Sequence, residues 1–199
     1  MVTARARGIV SLLAAFAVLP SACTGKDPYA PGTSLGTFHV EATLASSSCG
    51  AAPNPWAFDV RLAHEGATLF WIQGGAPIEG KLDGTTKKAS LASRTESTVR
   101  AEDARAKIAA CVLGRDDVLD VELVDATGAT LATAPGATAF RGTLGYRFAP
   151  VAGADCSDQL AAAGGGYEAL PCAVSYTVTA VRTKAPPTTP TSQDAGAAY

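Results

Sequence analysis

Residues 37–44 read TFHVEATL: Phe38, Val40, Ala42 and Leu44 alternate with Thr37, His39, Glu41 and Thr43. A period of two puts one set of side chains on each face of a β-strand, the apolar set toward a core. Residues 56–62 (WAFDVRL) repeat the pattern, with Trp56, Phe58, Val60 and Leu62 on one face. A turn at Ala63-His64-Glu65-Gly66 leads to 68–73 (TLFWIQ), so these two segments predict a hairpin. Gly74-Gly75 breaks the chain, 77–82 returns, and Asp83-Gly84 turns it again.

Further along, 88–91 and 96–99 read as two weak, polar strands, and 118–125 (VLDVELVD) as a clear one. Residues 130–133 are expected to pair back after a turn at 125–128. Residues 138–149 alternate with Phe140, Leu144, Tyr146 and Phe148 on one face, and 173–182 with Val174, Tyr176, Val178 and Ala180. The stretch 101–110 (AEDARAKIAA) has helix-forming composition and reads as a connector or short helical turn. Eight to ten short strands with glycine-bearing turns predict an all-β domain. It is an antiparallel up-and-down barrel or a β-sandwich, and next-neighbour hairpins favour the barrel. The opening Gly36-Thr37-Phe38, the meandering hairpins and the closing strand resemble a lipocalin-like or calycin-like domain, with Phe38 where that family has tryptophan.

Ahead of the domain lies a leader. Arg5 and Arg7 precede an apolar run, residues 9–19 (IVSLLAAFAVL), and small residues lead to Cys23. This is the layout of a secretory signal. The run is too short to span a bilayer, which takes about 20 residues. Leu19-Pro20-Ser21-Ala22-Cys23 resembles the lipobox of bacterial lipoproteins. The resemblance implies removal of 1–22 and acylation of Cys23, with the membrane as partner through that anchor. Thr24, not aspartate, follows Cys23, and the same resemblance then implies the outer membrane, on its periplasmic or surface face. The alanine-rich chain is also similar to uncharacterised lipoproteins of myxobacterial type. Residues 23–36 read as the acylated cysteine and a tether, 37–184 as one β domain, and 185–199, rich in Pro, Thr and Ala, as a disordered tail.

The whole chain carries 16 basic and 18 acidic residues, and the leader takes Arg5 and Arg7 with it. Without a basic patch, nucleic acid is not an expected partner. Four cysteines remain after Cys23, and an even number in an exported chain reads as disulfides. Cys156–Cys172 and Cys49–Cys111 are the favoured pairs among three possible sets.

No constellation in the sequence amounts to an active site, and neither metal nor cofactor is expected. Cys49 to Trp56 (CGAAPNPW) combines a cysteine, two prolines and a tryptophan, and reads as a disulfide-fixed loop or as a lid with Trp56 as a stacking platform. Trp71 and Phe70 face opposite ways, so one points inward. Trp56 and Trp71 are therefore the candidate ligand-binding residues. His39, His64, Glu41 and Asp59 are the polar residues with side chains suited to acid–base chemistry, but no Gly-x-Ser-x-Gly elbow accompanies them. GRDDVLD, with Asp116, Asp117 and Asp120, reads as a solvated acidic turn. The expected role is non-catalytic, binding a small apolar ligand or an envelope partner. A structural lipoprotein without ligand and a hydrolase with an unrecognised site are the alternatives.

Overall fold

The computed structural model describes residues 27–186. The leader, Cys23 and most of the tail lie outside the described residues. Eight strands form one closed antiparallel barrel in which each pairs with the next: β1 (Thr33–Ser47), β2 (Trp56–Glu65), β3 (Thr68–Ile72), β4 (Ile78–Leu82), β5 (Lys88–Arg100), β6 (Cys111–Val124), β7 (Ala139–Pro150) and β8 (Cys172–Lys184). Closure comes from β8 on β1, running from Thr37↔Lys184 to Ser47↔Val174. The expected up-and-down barrel of lipocalin-like architecture is what forms, and the sandwich is not.

Strong alternation sets the register. Phe38 opposes Val60 and Val40 opposes Phe58 across β1–β2, while Leu119 opposes Leu144 and Leu123 opposes Phe140 across β6–β7. Phe38, Val40, Val60, Leu62, Leu69, Leu91, Leu123, Phe140 and Val178 are all 1% exposed or less, so the lower barrel is solid. Each such side chain contributes on the order of 1.5–3 kcal/mol through burial.

Because the strands alternate in direction, β1 starts and β8 ends at the same end, here the floor. The connection 125–138 closes that floor: Ala134 and Ala137 are buried in the main core, with Leu131 against it. The opposite end, the rim, carries the connections 48–55, 73–77, 101–110 and 151–171. Its wall is uneven. Strands β3 and β4 have 5 residues each, whereas β5 and β6 have 13 and 14. Pairing of β4 with β5 ends at Gly80↔Leu91, which leaves a notch in the rim.

Several local expectations are corrected. Strand β1 begins at Thr33 with Leu35 buried, so the proposed tether gives its last residues to the barrel. The two weak strands at 88–91 and 96–99 are one strand, held along its length by β6. GRDDVLD lies within β6 and is not a turn. Of the two readings of 101–110 the connector holds and the helical turn does not: the segment is pinched by a bridge between Asp103 and Ile108. Residues 130–133 make only the bridge Val124↔Thr130 before a 3-10 turn at Ala134–Gly136.

The disulfides are Cys49–Cys172 and Cys111–Cys156, not the favoured pairs. The reason is barrel closure. Pairing of β8 with β1 sets Cys172 beside the start of the β1–β2 connection, where the Ser48 amide donates to the Ala173 carbonyl at 2.8 Å. Cys156 then meets Cys111 at the head of β6.

Candidate functional site

The rim half of the barrel is lined by aromatic rings. Trp56 packs on Phe58 at 4.5 Å between centroids, on Tyr176 at 5.5 Å and on Tyr146 at 6.2 Å. Phe58 leads to Trp71 at 6.1 Å, Trp71 to Phe140 at 5.7 Å, and Phe140 to Phe38 at 5.5 Å. The chain of tilted and edge-on contacts runs from the rim into the solid lower core. Such pairs add about 0.5–1.5 kcal/mol each beyond area burial. Trp71 faces inward and is 4% exposed, as the alternation required of one of the two neighbours. Phe70 faces the other way, into a small separate cluster with Ala63 and Ile72. Trp56 is half-buried against the main core.

Beside Trp71 the notch opens into a cavity of about 390 Å³, also lined by Gln73, Ile78, Ser93, Arg115 and Asp117. Arg115 and Asp117 are two residues apart on β6, in step with Leu119, Val121 and Leu123, so both point into the barrel. Arg115 donates from Nε to Asp117 Oδ1 at 2.7 Å and from Nη2 to Oδ2 at 2.6 Å. The Asp117 side chain is only 10% exposed and that of Arg115 46%. The guanidinium also lies 5.2 Å from the Tyr146 ring centroid. Its pKa is raised, first by the hydrogen bonds to Asp117. Burial pushes the Tyr146 hydroxyl up to about 12, with Asp117 adding to the effect. A buried carboxylate costs desolvation and persists only when paired and hydrogen-bonded. The mouth thus presents a rigid aromatic wall with one paired, partly hydrated guanidinium at its lip.

A larger depression of about 610 Å³ crosses the outer face of β5 to β8 and is lined by residues including Lys88, Asp120, Glu122, Arg141, Thr143 and Thr177. It lacks an aromatic wall. The rim cavity combines a buried tryptophan with a buried charge, which is how orienting polar groups are set in apolar ligand sites.

The other sequence candidates fall outside this site. His39 and Asp59 oppose each other on the outer face and bond at 2.7 Å from Nδ1 to Oδ1. Glu41 shares that strand face, but among the described residues no serine hydroxyl bonds to His39. His64 is in β2, paired with Leu69, rather than in the turn. Among the described residues no group of three or more His, Cys, Asp or Glu could hold a metal ion. The Arg115–Asp117 pair was absent from the sequence candidates, although carrying the alternation of β6 back past Leu119 places both residues inward.

The fold and site together define a closed eight-stranded β-barrel with an aromatic mouth at the rim. No family model matches the chain, and neither a curated protein nor a solved structure does.

Proposed function

We propose that the chain is an exported, lipid-anchored cell-envelope protein whose barrel binds a small, mainly apolar ligand at its rim. The anchor would be Cys23, in the outer membrane, and the working part is the notch beside Trp71. The observation that carries the binding reading is the cavity of about 390 Å³ where Trp71 meets the buried Asp117 and its partner Arg115. The solid lower core limits the ligand to the mouth, so a compact molecule fits and a long chain running down the barrel axis does not.

Topology supports the same reading. The described chain enters and leaves at the floor, so a tether from Cys23 attaches opposite the rim. The mouth then faces away from the membrane. The two disulfides tie rim connections to strand ends, which holds the mouth in shape without a ligand.

The chain has two tryptophans: Trp71 lines the notch, and Trp56 is linked to it through Phe58. Titration with the uncharged apolar probe N-phenyl-1-naphthylamine should therefore quench tryptophan fluorescence saturably at one probe per chain. Ile78→Lys, which places a charged stem in the notch, should abolish saturation while leaving the circular dichroism unchanged. Saturable binding that survives Ile78→Lys would remove the rim as the site.

A further inference from the structure

Strand β5 is partnered along one edge only for part of its length. On the β6 side, pairing runs from Lys88↔Glu122 to Arg100↔Cys111. On the β4 side it covers only Ala89, Ser90 and Leu91. Beyond Leu91, residues 92–99 have no strand beside that edge among the described residues. Residues 94–99 are all exposed, and Val99 is 45% exposed. The rim cavity lies against Ser93, Arg94 and Thr95, so the space beside the edge is open. A row of free backbone donors and acceptors of this kind is a template for another strand.

The side chains along this edge choose the strand. Residues 93–97 read Ser-Arg-Thr-Glu-Ser, with opposite charges placed symmetrically about Thr95. Two copies paired antiparallel with Thr95 facing Thr95 would set Arg94 opposite Glu96 twice and Ser93 opposite Ser97 twice. Sliding the register to centre on Arg94 sets two arginines face to face, and centring on Glu96 sets two glutamates. Directly opposed unlike charges are favourable and like charges are not. Within one chain Arg94 holds Asp116 at 3.1 Å and Glu96 at 3.3 Å. Arg94 can keep Asp116 while the second copy's Glu96 replaces its own. A two-fold axis through Thr95, perpendicular to the sheet, makes the contact self-complementary and closed.

We propose that β5 is a self-association edge, pairing antiparallel with β5 of a second copy about Thr95. The pairing overlaps the ligand notch only at its lip, residues 93–95, and does not depend on the ligand reading.

The test is cysteine cross-linking of the full chain after export, read on non-reducing gels. Thr95→Cys faces its own symmetry mate at a spacing a disulfide can bridge. Ser97→Cys would lie roughly 13 Å from its mate. A dimer band for Thr95→Cys and none for Ser97→Cys is expected. In the Thr95→Cys background, Arg94→Glu or Glu96→Arg alone should lower the dimer fraction, from a roughly tenfold weaker association. The double reversal should restore it, which also controls for misfolding. Co-expressing the two single reversals should give the heterodimer. Absence of the Thr95→Cys band, equal bands for both cysteines, or charge reversals without effect would each overturn the proposal.

Discussion

Trp71 illustrates what one residue does in this barrel. Its indole stands edge-on to both Phe58 and Phe140, and it is 4% exposed. Trp71→Ala should destabilise the fold by about 3–5 kcal/mol in chemical denaturation, because the void lies in a layer of rings that cannot collapse. Tyr146 gives a sharper signature. Its folded pKa is about 12 against 10.0 unfolded, raised mainly by burial. The unfolded chain therefore loses that proton first, and the stability it contributes is present below pH 10 and lost as pH rises toward 12. Phenolate absorbance should show a late-titrating tyrosine that Tyr146→Phe removes. Asp117 belongs at this scale too, since its sequence reading failed. Three aspartates within five residues look like a solvated turn, yet Asp116 and Asp120 face out while Asp117 faces in. Parity counted from Leu119 held that information, but the polar composition outweighed it.

At the scale of the element, β7 depends on Gly142. A Cβ there would lie 1.9 Å from the Asp120 carbonyl oxygen, so the backbone of β6 occupies the place of a side chain. Gly142→Ala should cost about 3 kcal/mol or more, measured by thermal unfolding, because backbone must move to admit it. Strands β1, β2, β7 and β8 were legible in the sequence because one face is apolar and the other wet along most of their length. Strand β5 was not legible as one element. Past Leu91 it outruns β4, so both faces of Arg94, Thr95 and Glu96 meet water and the alternation disappears. Pairing with β6, a long-range contact, makes it a strand. Turn chemistry is also readable in pH. Hydrogen bonds from Thr127 and Ala129 hold Asp125 below its ordinary value, and those from Thr86 and Thr85 do the same for Asp83. Both carboxylates add stability above the usual aspartate range, which is lost as pH falls below it.

For the whole molecule, closure is the decisive fact. The run of next-neighbour hairpins points to a barrel, but not to the register at which β8 meets β1, and the disulfide partners follow from that register. Cys49 and Cys172 are 123 residues apart and Cys111 and Cys156 are 45 apart. In the chain-entropy picture such loops are worth roughly 4–5 kcal/mol each, with measured losses usually about 2–4. Peptide mapping of the oxidised protein should recover these two links, and Cys49→Ala with Cys172→Ala should lower stability by about that measured amount. The floor-to-rim polarity of the barrel bears on the proposed anchor at Cys23. If Cys23 carries acyl chains, each buried CH₂ contributes about 0.8 kcal/mol to anchoring, and the rim is presented away from the lipid.

The proposed anchor at Cys23 is the claim that places the protein, and it can be measured directly. Cells fed a labelled fatty acid should incorporate it into the wild-type protein and not into Cys23→Ala, with the wild-type label recovered in the membrane fraction. Equal labelling of the two proteins, or none in either, would contradict the account.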